Sequence, residues 1–243
     1  MAEGKTAIVT GASSGVGRAT SILLAEAGYD LALVARREEE LRKTAELAAE
    51  RAGEEGQKIE IVIESVDISR AEPCRRLIES VGSRLGRIDA LANVAGAAPR
   101  LSIESITQDI WQRCVDTNLS AVVHLTAAAW PIFRRQGGAT IVNVSSLASV
   151  DPFPGFSIYA SAKAGVNMFT RCTAREGAEI GVRAVAVATG AIETPMLREL
   201  FDESVIPKAM TLSAMEVAGV IRDCITGRRE FEPGETIVLA SPA

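Results

Sequence analysis

The sequence contains a single histidine and few residues of the kind that bind transition metals. Its four cysteines lie far apart and form no CxxC pair, so the ligand spacing of a zinc site is absent and we expect no bound metal. We interpret the cysteines as small buried side chains and the histidine as a core residue of an apolar helix, which leaves no good candidate for Ser-His-Asp catalysis. These residues are Cys74, Cys114, Cys172, Cys224 and His124.

Concentrated positive charge is also lacking. The net charge is −5 and the basic residues are scattered, which disfavours a nucleic-acid partner. The start of the chain, MAEGKTAIVTG, has no signal-peptide pattern. The longest uncharged stretch, 117–133, contains Asn118, Ser120 and Pro131 and is interpreted as part of a buried amphipathic helix rather than a membrane span. We therefore expect a soluble, cytoplasmic protein with no membrane partner.

What the sequence does contain is a regular alternation of short β-branched runs and longer helical patterns. Apolar runs predict strands at 6–9, 31–35, 59–66, 90–93, 140–145, 184–188 and 236–239. Helices are predicted at 15–27, 38–52, 71–85, 108–135, 157–180 and 214–226. Almost continuously apolar strands are typical of a parallel sheet covered on both faces. The alternation predicts one Rossmann-type, doubly wound α/β domain over residues 1–243, with a seven-stranded, mainly parallel sheet.

The turn TGASSGVG between the first predicted strand and the first predicted helix contains three glycines, Gly11, Gly15 and Gly17. Glycines in this context allow a tight turn and a close approach of the backbone to a diphosphate, which also meets the positive end of the helix. The turn therefore predicts a dinucleotide site that includes Ser13, Ser14 and Val16 as well. The alternative is a glycine-rich turn that serves packing alone.

The second predicted strand ends in LALVARREEE, with Arg36 and Arg37 where NAD-binding proteins carry an acid for the ribose 2′-hydroxyl. A guanidinium cannot accept that hydroxyl's proton, but it pairs well with a 2′-phosphate. We therefore expect NADP(H) to be favoured over NAD(H), with Arg36 as the principal contact and Arg37 and Ser13 as weaker ones. Alternatively, both arginines begin an exposed helix and pair with the acids at 38–40.

The stretch YASAK places Tyr159 four residues before Lys163, with only small side chains between them. On a helix these two residues share one face, so a phenol and an ammonium would share one environment. Taken alone, the pair could also be an ordinary surface contact.

Four motifs taken together resemble the short-chain dehydrogenase/reductase family. They are TGASSGVG, NVAG at 93–96, Asn118 within DTNLS, and VNVSS followed by YASAK. The likeness runs from about residue 6 to residue 196 and so covers most of the chain. It implies an enzyme that interconverts a ketone or aldehyde and an alcohol by hydride transfer with a nicotinamide cofactor.

The resemblance implies four catalytic residues, Asn118, Ser146, Tyr159 and Lys163. Tyr159 would be the acid in reduction and the base in oxidation, and we expect the Lys163 ammonium to lower the pKa of its phenol. Lys163 would also bind the nicotinamide ribose. Ser146 rather than Ser145 would orient the carbonyl, and Asn118 would hold a water beside the lysine.

The resemblance also implies further cofactor contacts, which are Asp67, Ile68, Asn93, Ala95, Gly96, Tyr159, Lys163, Gly190, Ile192 and Thr194. Two positions depart from the family pattern. Val94 replaces a polar residue, and we expect its turn to survive. Thr189 replaces a proline before Gly190, and we expect this change to loosen the turn that presents Ile192 and Thr194.

The segment at about 190–213 is expected to form a lid over a largely apolar substrate pocket. Candidate substrate contacts are Ser146, Phe153, Phe156, Met196, Leu197 and Leu200. The ending EPGETIVLASPA lacks the Asp-Gly-Gly common in 3-oxoacyl carrier-protein reductases. A small carbonyl or alcohol substrate is therefore favoured, with such a reductase as one alternative and a non-catalytic NADP(H)-sensing regulator as another. The resemblance implies a homodimer or homotetramer built through the two longest predicted helices, 108–135 and 157–180, and the last strand.

Overall fold

A computed structural model describes residues 4–242 and places seven parallel strands in one sheet. The spatial order is β3-β2-β1-β4-β5-β6-β9, and every neighbouring pair is parallel. The strands of this sheet are β1 (Thr6–Thr10), β2 (Asp30–Ala35), β3 (Ile61–Ser65), β4 (Ala90–Asn93), β5 (Ala139–Ser146), β6 (Val182–Thr189) and β9 (Thr236–Leu239). The predicted Rossmann-type sheet is confirmed, and it is parallel throughout.

Helices cover both faces of the sheet, which explains why the central strands are apolar on both sides. They are α1 (Gly15–Glu26), α2 (Glu38–Glu54), α3 (Ala71–Leu85), α4 (Gln108–Val115), α5 (Ala121–Gln136), α6 (Ser157–Gly177), α7 (Pro195–Leu200) and α8 (Ala214–Thr226). Leu24, Leu41 and Ile221 bring α1, α2 and α8 into one buried cluster with the strands. Leu77 and Phe133 bring α3 and α5 into a second cluster, on the other face.

The strand order reverses next to β1, which has β2 on one side and β4 on the other. In an open parallel sheet the crevice for a ligand lies at such a reversal, outside the carboxyl ends of the strands. The glycine turn follows β1, the NVAG turn follows β4, and Ser146 ends β5. The fold therefore brings three separate sequence motifs to one edge of the sheet.

Several predicted boundaries are corrected by the structure. The helix predicted at 108–135 is two helices, α4 and α5, joined by a π-helical turn at Asp116–Ser120. The third strand is shorter than predicted, and α6 ends at Gly177 before a 3-10 turn. The lid region contains two short paired strands that the pattern did not predict, β7 (Ile192–Glu193) and β8 (Leu212–Ser213). Two residues within the described chain differ in burial from expectation, since Cys172 is exposed and His124 is only half-buried.

No helix within residues 4–242 is long and apolar enough to cross a membrane.

Candidate active site

The glycine turn after β1 holds α1 in very close contact with its strand. A Cβ built on Gly17 would lie 2.2 Å from the backbone oxygen of Gly11, a distance that no side chain tolerates. Gly11 itself has a φ of +68°, in the left-handed region that favours glycine. The glycines at these two positions are therefore required by the backbone path, which fits either a diphosphate site or close packing.

The start of α1 fits an anionic ligand. Ser14 is the N-cap of α1, and Val16 lies in the first turn. The Ser14 side chain makes no capping hydrogen bond to the N–H groups of this turn. Arg37 donates from Nη2 to the hydroxyls of Ser13 and Ser14, each at 3.1 Å. A helix N-terminus with a guanidinium beside it provides the donors and the positive charge that a diphosphate requires. These features favour the cofactor interpretation over packing alone.

Arg36 lies at the carboxyl end of β2, exposed, and its guanidinium has no hydrogen bond or ion pair within residues 4–242. The pKa of the Asp67 carboxyl, just after β3, is lowered mainly by the backbone N–H of Ser69, with smaller effects of Arg36 and Arg70. Asp67 and Arg36 therefore lie near each other, with Ile68 next along the chain.

The acids at 38–40 do not pair with either of these arginines. Glu38 pairs with Arg42, and Glu39 and Glu40 pair with Lys43. Glu40 also accepts from Arg18. The alternative in which Arg36 and Arg37 serve only as helix-start ion pairs is therefore wrong.

The turn after β4 is held by Thr10 at the end of β1. Its hydroxyl oxygen accepts from the backbone N–H groups of Val94 at 2.9 Å and Ala95 at 3.1 Å. Asn93 donates to Asn143 at 2.8 Å, while its own Oδ1 is buried with no partner within the described chain. The backbone does not depend on the polarity of the side chain at 94, so the turn survives with valine there.

Tyr159 and Lys163 share one face of α6, with Nζ of Lys163 5.9 Å from the centroid of the phenol ring. The ammonium is buried and donates to the backbone oxygen of Val144 in β5 at 2.7 Å. A Cβ built on Gly96 would lie 2.9 Å from Oδ1 of Asn118 and 3.5 Å from Nζ of Lys163. Gly96 thus marks the place where the asparagine and the lysine converge.

The π-helical turn positions Asn118 for this convergence. Its amide group accepts from the backbone N–H of Ala97 at 3.1 Å and donates to the backbone oxygens of Ala97 at 2.8 Å and Cys114 at 2.9 Å. A wider turn releases helix carbonyls from the regular i to i+4 pattern, which is why such turns are frequent at functional sites. The helix pattern in the sequence indicated continuity and gave no sign of this turn.

The two serines that end β5 have different surroundings. Ser145 donates to the backbone oxygen of Lys163 at 3.2 Å. Ser146 accepts from the backbone N–H of Ala148 at 3.2 Å, and its hydroxyl lies beside the phenol, where it offsets part of the rise in the pKa of Tyr159 that burial causes. The geometry places Ser146, rather than Ser145, next to Tyr159.

Burial is the largest influence on the pKa values of Tyr159 and Lys163. It raises the pKa of the Tyr159 phenol, because the ring is closely surrounded by protein although part of the residue faces the cleft. Burial also lowers the pKa of the Lys163 ammonium to about 8. The lowered phenol pKa expected from Lys163 is not found in this structure, in which burial is the largest effect on Tyr159 and raises its pKa.

Cys114 is a member of the cluster that the sequence interpretation missed. It was taken as a generic buried residue, yet Nδ2 of Asn118 lies 3.6 Å from its sulfur. Burial raises the pKa of the thiol, and the pKa values of Lys163 and Tyr159 are both sensitive to its charge. Its position four residues before Asn118 was the available signal, since i and i+4 residues share a helix face.

The lid begins after β6, where Gly190 donates from its backbone N–H to Leu239 at 2.8 Å and packs against Ser241. These contacts connect the turn to the segment at the end of β9, and the loosening expected from Thr189 stays a prediction. Ile192 lies in β7, and Thr194 caps α7 through its hydroxyl. A Cβ built on Gly15 would lie 3.1 Å from the methyl group of Thr194, so the lid reaches the glycine turn.

The candidate substrate residues are only partly brought together. Phe156 is buried and packs edge-on against Tyr159, with ring centroids 6.2 Å apart. Leu197 and Leu200 are half-buried on α7, whereas Phe153 and Met196 are exposed. Phe201, which follows α7 within the expected lid segment, was not predicted as a substrate contact, and its ring lies 6.2 Å from that of Phe156.

No cluster of three or more histidine, cysteine, aspartate or glutamate residues that could hold a metal ion occurs within residues 4–242.

Comparisons with known proteins show which family this chain belongs to. A family profile described as "short chain dehydrogenase" matches residues 5–204. An uncharacterized oxidoreductase of Listeria monocytogenes is 33% identical over 201 residues, which are 82% of this chain and 79% of the relative. The 3-oxoacyl-[acyl-carrier-protein] reductase of Thermotoga maritima is 32% identical over 241 residues, 97% of this chain and 96% of the relative. The crystal structure of levodione reductase is similar with a TM-score of 0.89 and 27% identity, covering 97% of this chain and 96% of that one.

Proposed function

The chain belongs to the short-chain dehydrogenase family of oxidoreductases, and from this membership we propose that it interconverts a ketone or aldehyde and an alcohol with NADP(H). The observation that carries the proposal is the convergence of Asn118 and Lys163 at Gly96, with Tyr159 on the same helix face as the lysine. Pure binding of a cofactor would not require this set of proton donors and acceptors. Their presence favours an enzyme over a regulator that only senses the cofactor.

Each catalytic residue has a distinct role in this proposal. When bound, the nicotinamide cofactor supplies the hydride in reduction and accepts it in oxidation. The Tyr159 hydroxyl donates a proton to the carbonyl oxygen in reduction and takes it back in oxidation. Ser146 donates a hydrogen bond to the same oxygen, where negative charge develops. Asn118 holds a water beside Lys163, and the tyrosine regains its proton through the lysine and this water. Lys163 also binds the nicotinamide ribose.

The cofactor would lie along the carboxyl ends of the strands on either side of β1. The diphosphate would meet the start of α1 at Ser13, Ser14, Gly15, Val16 and Gly17, next to Gly11. Asp67 and Ile68 would contact the adenine, and the turn at Asn93, Ala95 and Gly96 would line the middle of the site. Gly190, Ile192 and Thr194 would hold the carboxamide end beside Tyr159 and Lys163.

The preference for NADP(H) is proposed to come mainly from Arg36, with Arg37 and Ser13 in support. Replacing Arg36 with alanine is expected to weaken NADPH binding roughly tenfold or more, because charge-assisted hydrogen bonds to the 2′-phosphate are lost. NADH binding should change much less, since NADH carries a hydroxyl at that position. Dissociation constants for both cofactors, measured by the quenching of protein fluorescence, would test this prediction.

Arg37→Ala is the matched comparison for that measurement. Because Arg37 already donates to two serine hydroxyls, its loss should weaken NADPH binding less than the loss of Arg36. Tighter binding of NADH than of NADPH by the unmodified protein would contradict the proposed preference. An equal loss for both cofactors in Arg36→Ala would contradict the contact to the 2′-phosphate.

The substrate is proposed to be a small carbonyl or alcohol compound. The pocket would be formed by Ser146, Phe153, Phe156, Met196, Leu197 and Leu200, most of which are apolar. A second candidate is a 3-oxoacyl carrier-protein reductase, because the Thermotoga maritima relative of that name matches 97% of this chain. A panel of ketones, aldehydes and acetoacetyl thioesters, followed at the nicotinamide absorbance band, separates the two. Absence of turnover with every compound would favour the sensing regulator.

We further propose a homodimer or homotetramer in which α4, α5, α6 and the edge strand β9 form the contacts. Trp111 on α4, Met168 on α6 and Val238 on β9 are large apolar side chains that are exposed in the single chain. Burial of such residues between subunits would remove apolar surface from water. Light scattering coupled to gel filtration measures the assembly directly. The cytoplasm stays the predicted location.

A further inference from the structure

Arg100 is an exposed arginine in the loop after β4, and its guanidinium lies over an aromatic ring of the lid. The Cζ atom is 4.9 Å from the centroid of Phe201, the residue that follows α7. Within residues 4–242 the Arg100 side chain forms no ion pair and no hydrogen bond. A guanidinium over an aromatic ring is attracted by the electrons of the ring without using its N–H donors, so the donors of Arg100 remain available for a ligand.

A row of aromatic rings connects this guanidinium with the reacting phenol. Phe201 packs on Phe156, with centroids 6.2 Å apart and planes tilted by 33°. Phe156 packs edge-on against Tyr159, with centroids 6.2 Å apart. The three rings therefore form an apolar row that begins at Tyr159 and ends at the guanidinium of Arg100.

The backbone fixes Arg100 at this place. Leu101 donates its backbone N–H to the oxygen of Gly155 at 2.9 Å and so joins the loop after β4 to the loop before α6. Gly155 has a φ of +85°, and a Cβ built there would lie 3.2 Å from Cγ of Arg100. The stem of the arginine packs across this glycine, which holds the charge at the rim of the cleft.

We propose that Arg100 determines substrate specificity by binding a carboxylate at the far end of the carbonyl substrate. This inference rests on the proposed function, because it concerns the same cleft. The fork of N–H donors on one guanidinium matches a carboxylate with two parallel hydrogen bonds. The apolar row of rings requires a spacer between the two groups of the substrate. Oxo acids with a separated carboxylate therefore fit, whereas 2-oxo acids would place their carboxylate beside Tyr159 and out of reach of Arg100.

The test compares carboxylic acids with their methyl esters. A series of straight-chain oxo acids of increasing length, together with 4-carboxybenzaldehyde and the methyl ester of each compound, is assayed with NADPH. The unmodified enzyme should have the higher kcat/KM for the acid, with a maximum at one spacer length. Arg100→Gln should reduce the acid-over-ester ratio of kcat/KM roughly ten- to hundredfold, mainly through KM of the acid.

Two further variants separate charge from lid packing. Arg100→Lys keeps the charge without the planar fork and should restore part of the acid preference. Arg76→Gln removes an exposed arginine on α3 and should leave the ratio unchanged.

An equal effect of Arg100→Gln on acid and ester would show that the residue only holds the lid, and would overturn the proposal. Reduction of esters with no preference for acids at any length would also overturn it, while the proposed function stands. Failure to reduce any acid or ester, while compounds of the ketone and aldehyde panel are turned over, would overturn this proposal alone. Failure with every compound of both sets and with either cofactor would overturn both.

Discussion

Replacing Tyr159 with phenylalanine is expected to lower kcat for carbonyl reduction by roughly a thousandfold, because positioned proton transfer contributes on the order of 10² to 10⁴. Phenylalanine keeps the ring that packs edge-on against Phe156 and removes only the hydroxyl. The affinity for NADPH should therefore change little. The measurement is steady-state oxidation of NADPH with the most active carbonyl of the panel, together with the dissociation constant of NADPH.

The chain supplies its own control for this experiment, because its only other tyrosine lies far from the site. Tyr29 precedes β2 and so lies at the amino ends of the strands, whereas the site lies at their carboxyl ends. Its hydroxyl makes only a long contact of 3.5 Å to the backbone oxygen of Ile225. Tyr29→Phe should therefore retain turnover. The role of Tyr159 as acid is contradicted if Tyr159→Phe keeps more than about a tenth of the activity of the unmodified enzyme.

The raised pKa of Tyr159 also predicts how the two directions of reaction respond to pH. Burial favours the protonated phenol, which is the form that reduction requires. Oxidation of an alcohol requires the deprotonated form, so its rate should rise with pH on the alkaline side of neutrality. Reduction should be steady near neutrality and decline only when the phenol ionises.

Much of the architecture could be predicted because each strand and helix is recognisable from its own short stretch of sequence. Runs such as AIV in β1 and VAVA in β6 are apolar on both faces, which indicates buried parallel strands. Their order along the chain then places the turns after β1 and β4 at a reversal of strand order. The glycine turn, the NVAG turn and Ser146 could be assigned to one edge of the sheet for this reason.

Features that depend on contacts between distant segments could not be predicted. The π-helical turn at Asp116–Ser120 depends on hydrogen bonds between Asn118 and the loop after β4, which no helical periodicity encodes. The contact of the Arg100 guanidinium with the ring of Phe201 joins two segments that lie far apart in the sequence. The direction of the pKa shift of Tyr159 was mispredicted because helix spacing reports the proximity of Lys163 but not the degree of burial.

Lys163→Met is expected to lower turnover by about a hundredfold or more and, unusually for a buried residue, to raise thermal stability near neutral pH. Burial of the ammonium lowers its pKa from 10.5 to about 8, which corresponds to a desolvation cost on the order of 3 kcal/mol at neutral pH. Methionine fills a similar volume without charge. It also loses the hydrogen bond to Val144, which offsets part of the gain by about 1 kcal/mol.

The stability difference between variant and unmodified protein should depend on pH in a defined direction. Below pH 8 the lysine is protonated in both the folded and the unfolded chain, and the full cost of burying the charge is present. Between about pH 8 and 10.5 the folded protein has released this proton while the unfolded chain still binds it. The unmodified protein is therefore stabilised as pH rises through this window, and the advantage of Lys163→Met should shrink.

Melting temperatures of both proteins without added cofactor, measured at pH 7 and at about pH 10, test this directly, with about 2 to 4 °C expected for each kcal/mol. Lys58→Met is the matched control, because Lys58 is exposed and its replacement should show no such convergence between the two pH values. A difference between Lys163→Met and the unmodified protein that stays constant from pH 7 to pH 10 would mean that the ammonium is not desolvated. In that case the Lys163 ammonium would be in contact with solvent, its pKa would not be lowered by burial, and it would not readily release a proton near neutral pH.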